Sequence, residues 1–481
     1  MNGMTSLQRV LPWISNGVLV GNPQLDFSRV HTDTRNLQAG DLFVALRGER
    51  FDAHDFLVRA RTDGAVAAIA ERGLEPAGLP GIVVPDSRLA LGQLATGWRA
   101  QFNLPLIAVT GSNGKTTVTQ MIAAILRAHD GEAAFATQGN LNNDIGLPLT
   151  LLRLNAAHRM AVVELGMNHP GEIAYLARIA RPTVALVNNA QREHQEFMAT
   201  VDAVAHENGA VIAALPQDGV AIFPSDDPFA GLWRSLAASR RCMTFALDGS
   251  ADVLLKNAVW QGDAWQVQAQ TPVGIVSLRL NIAGLHNVKN ALAAVAAALA
   301  ANISLAAIAR GLACFEPVKG RSRALQFNWR GRQITVVDDT YNANPDSVQA
   351  AIDVLAALPG PHLLVLGDMG EVGDKGPEFH AEAGIHARSA GIEALLTLGD
   401  LSAQTVQTFT DHAGHKTAHS AASSSCHFSN MEPLLAAVLA QLEHVGSVLV
   451  KGSRFMKMER VVEAIAAAAT PVKPQLQETR S

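Results

Sequence analysis

Residues 104–126 read LPLIAVTGSNGKTTVTQMIAAIL. The apolar run 106–109 predicts a buried strand and the apolar spacing after residue 117 predicts a helix, so the segment 110–117 joins a strand to a helix. Its glycines permit a sharp turn that presents backbone N–H groups, and the start of a helix adds a partial positive charge of about half an electron. A lysine and hydroxyl groups complete a set suited to phosphate and Mg²⁺. We therefore predict a loop that binds the phosphates of a nucleotide.

The spacing of this loop departs from the common G-x-x-x-x-G-K-[ST] pattern, because Val109 stands where that pattern requires a glycine. A shorter motif takes its place: Gly111, Ser112, Asn113, Gly114, Lys115, Thr116 and Thr117. A tight turn with a solvated lysine is the alternative interpretation. The strand and helix on either side, together with Lys-Thr-Thr, favour nucleotide binding.

The composition fits an ordinary globular protein with room, at 481 residues, for about three domains of ~150 residues each. A net charge of −5 argues against a nucleic-acid partner. Cys242, Cys314 and Cys426 lie too far apart to suggest a disulfide framework or a zinc ribbon, which favours a reducing compartment. The first 17 residues have no continuous apolar core of the signal-peptide type, so we expect a cytoplasmic protein.

One stretch is long enough to cross a membrane, since no charged residue falls between Lys289 and Arg310. It is mostly alanine, and Asn302 and Ser304 interrupt it. We predict two helices of a globular domain, the second capped near these two residues, and no membrane span.

Strand-like and helix-like patterns divide the chain into three α/β units, which we place at residues 1–103, 104–315 and 316–481. The first is a small α/β domain with strands near 40–46, 65–69 and 81–84 and a helix at 88–102. The second alternates strands and helices, which predicts a central, mostly parallel sheet carrying the phosphate loop. The third alternates again and resembles a Rossmann-like sheet, although it has no G-x-G-x-x-G after its first strand.

Polar residues follow several predicted strands of the central unit, where ligands of parallel sheets bind. They include Asn140 and Asn143, then Glu164, then Glu193 and His194. Glu164 and His194 beside a Lys-Thr loop would suit a hard cation such as Mg²⁺. A salt-bridged glutamate and an unrelated turn histidine remain the alternative.

Further candidates lie later in the chain. Asn287 and Asn290 share one face of a predicted helix start, which suits either ligand contact or capping. The first strand of the third unit ends in the polar run 338–345, suited to a ribose or a small polar group. The histidines between 412 and 427 match no metal template, and we interpret that stretch as a solvated loop.

Taken together, these motifs resemble the Mur ligases of peptidoglycan synthesis over essentially the whole chain. Gly111 to Thr116 is similar to the ATP loop of that family, and residues 284–290 are similar to its GxHNxxN segment. Asp33, Thr34 and Arg35, followed by GDLFVALRG, resemble the uridine-nucleotide domain. Within the family, DDTYNANPDS (338–347), LGDMGEVG (366–373) and KGSRFMKME (451–459) resemble members that add D-alanyl-D-alanine. The Asp-Asn-Pro-Arg motif of members that add the third amino acid was not found.

The resemblance implies ATP-dependent amide formation between UDP-N-acetylmuramoyl-tripeptide and D-alanyl-D-alanine, through an acyl phosphate, in a protein we expect to be a monomer. Lys115, Glu164 and His194 would be catalytic, and Thr116, Glu164 and His194 would bind Mg²⁺. The resemblance further implies nucleotide contacts for the loop residues 111–117, Asn287, Arg321 and Asp339. It implies substrate contacts for Asp33, Thr34, Arg35, Asn140, Asn143, Tyr341, Asn342 and Asn344. A related ligase for another amino acid, or an inactive nucleotide-binding homologue, is the alternative.

One position departs from the family pattern. Mur ligases usually carry, about a dozen residues after the histidine, a lysine that is carbamylated and helps to hold the second metal. Asn208 stands at that position here, and asparagine cannot be carbamylated. Either Asn208 is a neutral oxygen ligand or water takes the place, and the neighbouring Glu207 is a substitute of the right charge.

Overall fold

A computed structural model of the chain describes residues 4–48, 51–193, 196–198, 200–261, 264–411 and 424–471. Within these ranges the strands form one two-stranded ribbon and three larger sheets, of five, nine and seven strands. The chain passes from one large sheet to the next between Arg99 and Leu106 and again between Ala313 and Arg323. The architecture is therefore α/β in three successive units, as the alternating patterns predict.

The first unit packs short helices against a five-stranded sheet of order β2-β7-β6-β5-β4, in which only β2 runs antiparallel to its neighbour. Its strands are β1 (Thr5–Ser6), β2 (Val18–Val20), β3 (Asp26–Phe27), β4 (Arg29–His31), β5 (Asp41–Val44), β6 (Ala65–Ala70) and β7 (Gly81–Val83). Its helices are α1 (Leu7–Val10), α2 (Leu57–Thr62), α3 (Leu74–Ala77) and α4 (Ser87–Arg99). The apolar runs located β5, β6 and β7, whereas β2 and β4 are too short and too mixed in polarity to stand out.

The central sheet has the order β16-β15-β14-β13-β12-β11-β8-β10-β9 and is parallel from β14 to β9. Its strands are β8 (Leu106–Thr110), β9 (Ala134–Ala136), β10 (Met160–Glu164), β11 (Val184–Val187), β12 (Val220–Pro224), β13 (Arg241–Ala246), β14 (Val253–Gln261), β15 (Ala264–Thr271) and β16 (Gly274–Leu280). The helices are α5 (Lys115–Asp130), α6 (Gly146–Leu151), α7 (Glu172–Ala180), α8 (Val201–Ala213), α9 (Ala230–Ala237), α10 (Leu285–Ala300) and α11 (Leu305–Ala313). At the other edge, β15 pairs antiparallel with both β14 and β16.

Helix α10 contains the alanine-rich stretch that raised the membrane question. Its alanines are buried in the same apolar cluster as α5, under one face of the central sheet, where small side chains allow close helix packing. Ser304 caps α11 by accepting a hydrogen bond from the backbone N–H of Ala307 (3.4 Å). Among the described residues, no helix is long and apolar enough to span a bilayer.

The third unit has a sheet of order β21-β20-β19-β22-β18-β17-β23, in which β17 pairs antiparallel with both of its neighbours and all other pairs are parallel. Its strands are β17 (Arg323–Trp329), β18 (Arg332–Asp339), β19 (His362–Gly367), β20 (Ala394–Leu398), β21 (Ser424–Phe428), β22 (Ser447–Lys451) and β23 (Thr470–Pro471). Its helices are α12 (Pro345–Ala356), α13 (Gly376–Ser389), α14 (Ala403–Asp411), α15 (Met431–Gln441) and α16 (Glu459–Ala468).

The predicted solvated loop between residues 412 and 427 is wrong at its end. Cys426 and His427 belong to β21, which pairs in parallel with β20. This strand lies at the edge of the sheet and is only partly buried, so its sequence SSCHF carries no apolar signal. The histidines at 412, 415 and 419 lie outside the described residues.

The register of the central sheet determines which residues meet at its carboxyl edge. Glu164, at the end of β10, pairs with Val109 of β8, and Val187, at the end of β11, pairs with Thr110. The residues that follow these strands therefore emerge side by side around the phosphate loop.

Candidate nucleotide and ligase site

The phosphate loop is a tight turn between β8 and α5. Gly111 and Gly114 have backbone φ angles of +132° and +81°, which residues other than glycine rarely adopt. A Cβ atom on Gly114 would also lie 2.6 Å from the Asn290 Oδ1 atom. Both glycines are thus required by the turn, and α5 begins directly at Lys115.

A second segment, residues 188–193, holds this loop in place; we call it the loop-binding segment. Asn189 accepts a hydrogen bond from the Asn113 backbone N–H (2.9 Å), and Asn188 and Asn189 both donate to the Asn113 carbonyl (2.8 and 3.0 Å). Gln191 Oε1 accepts from the Asn113 side chain (2.7 Å). The turn is therefore fixed by side chains that follow β11 as well as by its own glycines.

Lys115 points its ammonium group back into the loop. Nζ donates to the carbonyls of Gly111 (2.6 Å) and Ser112 (3.0 Å) and to Glu193 Oε1 (2.7 Å). The Lys115 and Glu193 side chains are 14% and 10% exposed, so this ion pair is largely shielded from water. Thr116 and Thr117, in the first turn of α5, are buried.

Glu164 presents a carboxylate next to the loop. It is 2% exposed; Oε1 accepts a hydrogen bond from Asn142 Nδ2 (2.7 Å), while Oε2 is buried with no partner among the described residues. A buried carboxylate oxygen without a donor is costly unless a cation or another donor satisfies it. The donor set of Glu164 and the Thr116 hydroxyl consists of hard oxygens, which fits Mg²⁺.

The other predicted metal ligands have different surroundings. His194 lies outside the described residues. Asn208 is fully buried beneath the loop, where its Oδ1 accepts hydrogen bonds from Thr110 Oγ1 (2.6 Å) and the Gly111 N–H (3.0 Å). Glu207 accepts from the N–H groups of Gly171 (2.8 Å) and Ile173 (2.7 Å) at the start of α7. Across the described ranges, no group of three or more His, Cys, Asp or Glu residues is arranged to hold a metal.

Replacing Glu207 by alanine tests whether this residue caps α7 or binds the metal. We expect the free energy of unfolding to fall by about 1 kcal/mol, because the start of α7 loses an ionised cap. The rate of phosphate release from ATP should depend on Mg²⁺ concentration in the same way as in the unmodified protein. A higher Mg²⁺ half-saturation for Glu207→Ala, measured with thermal unfolding in parallel, would instead make Glu207 a metal ligand.

The third unit faces the loop with the ends of β18 and β22. Asp339 and Lys451 are paired in register, and Lys451 Nζ donates to Asp339 Oδ2 at 2.6 Å. Asp339 Oδ1 accepts from the Ser322 N–H (2.9 Å), and the Arg321 guanidinium lies 4.1 Å from the centre of the Tyr341 ring. This ordered set of one carboxylate and two cations fits the nucleotide contacts predicted for Asp339 and Arg321.

The GxHNxxN segment connects to the loop through amide side chains. Asn287 accepts from Asn290 Nδ2 (2.9 Å) and donates to the Ala283 carbonyl (2.7 Å), and Asn290 in turn accepts from Asn188 (2.9 Å). Neither asparagine caps α10 through its side chain; both belong to a buried amide network that supports the loop, and both also line the cavity described below, so ligand contact stays a prediction. Burial lowers the pKa of the neighbouring His286.

The predicted substrate residues fall into two groups. Asn140, Asn143, Tyr341, Asn342 and Asn344 line a cavity of about 1100 Å³ that also contains Lys115, Glu164, Asn287, Arg321 and Asp339. Asn143 also accepts a hydrogen bond from the Gly146 N–H (2.8 Å) at the start of α6, and Asn344 caps α12. Asp33, Thr34 and Arg35 form a turn in the first unit in which Arg35 pairs with Asp33 (2.6 Å); they are not among the described residues that line this cavity.

Several residues of this site were not selected from the sequence. The polar cluster after β9 was noted, but it is Asn142 that contacts Glu164. Asn188, Asn189 and Arg192 carry no sequence signal that assigns them a role. Lys451 is the first residue of the segment KGSRFMKME (451–459), and only the parallel pairing of β18 with β22 brings it to Asp339.

The site consists of a glycine loop at the edge of a parallel sheet, which presents a lysine and a buried threonine and is covered by another α/β unit. This arrangement indicates the class of protein. These are multidomain α/β proteins with a nucleotide phosphate site between their units.

Three family models match the chain: the Mur ligase family catalytic domain at residues 26–99, the Mur ligase middle domain at 109–298, and the Mur ligase glutamate ligase domain at 323–454. The chain belongs to the Mur ligase family.

Similar proteins extend over nearly the full length. UDP-N-acetylmuramoyl-tripeptide--D-alanyl-D-alanine ligase of Escherichia coli (strain K12) is 40% identical over 460 residues, which cover 95% of this chain and 97% of that one. The protein of the same name from Bacillus subtilis (strain 168) is 34% identical, covering 92% and 95%. A crystal structure of MurF from Acinetobacter baumannii superposes with a TM-score of 0.86 at 35% identity, covering 95% and 98%. MurF ligase from Thermotoga maritima in complex with ADP gives 0.77 at 27%, covering 92% and 97%.

Proposed function

We propose that this chain is an ATP-dependent ligase that joins D-alanyl-D-alanine to UDP-N-acetylmuramoyl-tripeptide, releasing ADP and phosphate. The observation that carries the proposal is the cavity that brings Lys115 and Glu164 of the central unit together with Asp339 and Arg321 of the third. The relatives named for this reaction match across almost their whole lengths.

The reaction requires activation of a carboxylate, which is a poor electrophile. A carboxylate oxygen of the tripeptide attacks the γ-phosphorus of ATP, the bond to the β-phosphate oxygen breaks, and ADP leaves. The amine of D-alanyl-D-alanine then attacks the carbonyl carbon of the acyl phosphate, loses a proton, and expels phosphate as the amide forms. Phosphoryl transfer of this kind depends mainly on positioning and on charge neutralisation.

The residues of the loop supply that positioning. Backbone N–H groups of residues 111–117 and the start of α5 favour phosphate oxygens. Lys115, whose three ammonium donors now contact two carbonyls and Glu193, would exchange at least one of those contacts for a phosphate oxygen. In this proposal Asn287, Asp339 and Arg321, which all line the cavity, contact the nucleotide.

Thr116 and Glu164 would hold Mg²⁺, with His194 as a further ligand. When bound, Mg²⁺ supplies positive charge that offsets the charge of the triphosphate and of the attacking carboxylate. The observation that supports this assignment is the buried Oε2 of Glu164, which has no hydrogen-bond partner among the described residues.

The three units divide the work in the proposal. Residues 1–103 bind the uridine nucleotide through Asp33, Thr34 and Arg35, and residues 104–315 bind ATP. Residues 316–481 receive the dipeptide and close on ATP. Asn140 and Asn143 contact the tripeptide side, and Tyr341, Asn342 and Asn344 lie on the dipeptide side of the cavity.

Phosphate release from ATP tests the proposal directly. We expect release with UDP-N-acetylmuramoyl-tripeptide and D-alanyl-D-alanine both present, and little when either is left out. Other amino acids or dipeptides in place of D-alanyl-D-alanine test for a different acceptor. Absence of release in the complete mixture, in a preparation that binds ADP, would overturn the proposed reaction.

A further inference from the structure

Arg192 connects the central unit to the third unit. Its Nε and Nη2 atoms donate to Asp346 Oδ1 at 3.0 and 2.8 Å, and its backbone N–H donates to Asp346 Oδ2 at 2.7 Å. Nη1 donates to Glu382 Oε2 at 2.7 Å, and the guanidinium lies 5.2 Å from the centre of the Phe379 ring. We call Arg192, Asp346 and Glu382 the interdomain bridge.

The bridge meets the third unit at the same helix end as a direct contact from the phosphate loop. Asp346 lies in the first turn of α12, and Asn344, the N-cap of that helix, exchanges hydrogen bonds with the side chain of Asn113 at 2.9 and 3.3 Å. Because one rigid helix end receives both contacts, its position fixes the distance between the third unit and the loop.

The position of Arg192 in the sequence connects the contact between the central and third units to Lys115. Its two neighbours, Gln191 and Glu193, face the loop, where they bind the Asn113 side chain and Lys115 Nζ. Arg192 faces the opposite way, towards α12 and α13. A shift of Arg192 therefore moves, through adjacent backbone, the carboxylate that holds Lys115.

We propose that Arg192 is a positioning residue that couples docking of the third unit to the placement of Lys115 in the phosphate loop. Arg192 need not touch either substrate to do this. The role in catalysis rests on the proposed ligase function, whereas the role in docking and in nucleotide binding does not.

The geometry predicts what each substitution does. Arg192→Gln removes the charge and the planar pair of donors, whereas Arg192→Lys keeps the charge and loses the two-pronged contact with Asp346. The bridge side chains are 22–35% exposed, so we expect a moderate effect: about a tenfold rise in the KM for ATP for Arg192→Gln and roughly threefold for Arg192→Lys, with kcat lowered as well. Asp346→Asn should resemble Arg192→Gln, and the double variant should show much less than the sum.

The experiment uses the full chain and a matched control, Arg460→Gln, which removes an arginine from an exposed pair with Glu432 within the third unit. For each variant we would measure the Kd of ADP by calorimetry, the radius of gyration by small-angle X-ray scattering without nucleotide, and KM and kcat in the ligase assay. We expect weaker ADP binding and a larger radius for Arg192→Gln, and values of the unmodified protein for Arg460→Gln, with equal thermal midpoints. If Arg192→Gln does not fold, Glu382→Gln, which loses one bond of the bridge, takes its place.

Unchanged ADP affinity and radius in a folded bridge variant would overturn the role of Arg192. Calorimetry and scattering need no peptide substrate, so they decide this question even if the ligase assay fails. A failed assay with a clear loss of ADP affinity in Arg192→Gln would leave the coupling supported and count against the proposed reaction alone.

Discussion

Lys115→Ala is expected to lower turnover by about 100-fold or more, the scale for losing one donor that stabilises charge in a transition state. The substitution removes the ammonium that contacts Gly111, Ser112 and Glu193, and it leaves α5 a strong helix former at its first position. The measurement is kcat for phosphate release with both substrates saturating, together with a thermal midpoint to confirm folding.

Lys256→Ala is the matched control, because Lys256 is an exposed lysine on β14 of the same unit. It should retain the turnover of the unmodified enzyme. If Lys115→Ala is equally active, the loop does not neutralise the transferring phosphoryl group, and its assignment is wrong.

Glu164→Gln is expected to reduce turnover by about 100-fold and to raise the Mg²⁺ concentration for half-maximal rate by at least about tenfold. Glutamine has the same shape and can still accept the hydrogen bond from Asn142, so the change isolates the loss of charge at Oε2. Rates measured over a Mg²⁺ titration provide the readout.

Glu207→Ala serves as the comparison in the same titration, since Glu207 caps α7. A shift of the Mg²⁺ response in Glu164→Gln alone would assign the metal to Glu164. Equal Mg²⁺ responses in Glu164→Gln and in the unmodified enzyme would contradict that assignment.

Much of the site could be predicted because it depends on local patterns. A strand, a glycine turn and a helix with Lys-Thr-Thr are contiguous in sequence, and polar residues after parallel strands converge by topology. These patterns predict ligand-binding positions for Lys115, Glu164 and Asp339, and all three residues line one cavity. The helices α10 and α11 could be predicted as two separate helices because Asn302 and Ser304 lie between them in the uncharged stretch.

The other parts of the site and of the fold depend on side-chain direction and strand register, which sequence patterns do not determine. Asn208 could be interpreted only by comparison with a lysine position, whereas its contacts with Thr110 and Gly111 come from the packing of α8 beneath β8. Arg192 is an ordinary charged residue until α12 is placed against it. The edge strand β21 lacks an apolar pattern, and for that reason a loop was predicted there.

In the proposed reaction, the tripeptide carboxylate is activated by phosphorylation in the site between the central and third units. The most direct test of this activation uses UDP-N-acetylmuramoyl-tripeptide labelled with ¹⁸O in the reacting carboxylate. Because a carboxylate oxygen attacks the γ-phosphorus and leaves with it, one ¹⁸O atom should appear in the released phosphate for each amide bond formed, as measured by mass spectrometry. Amide product accompanied by unlabelled phosphate would contradict activation of the carboxylate by phosphorylation.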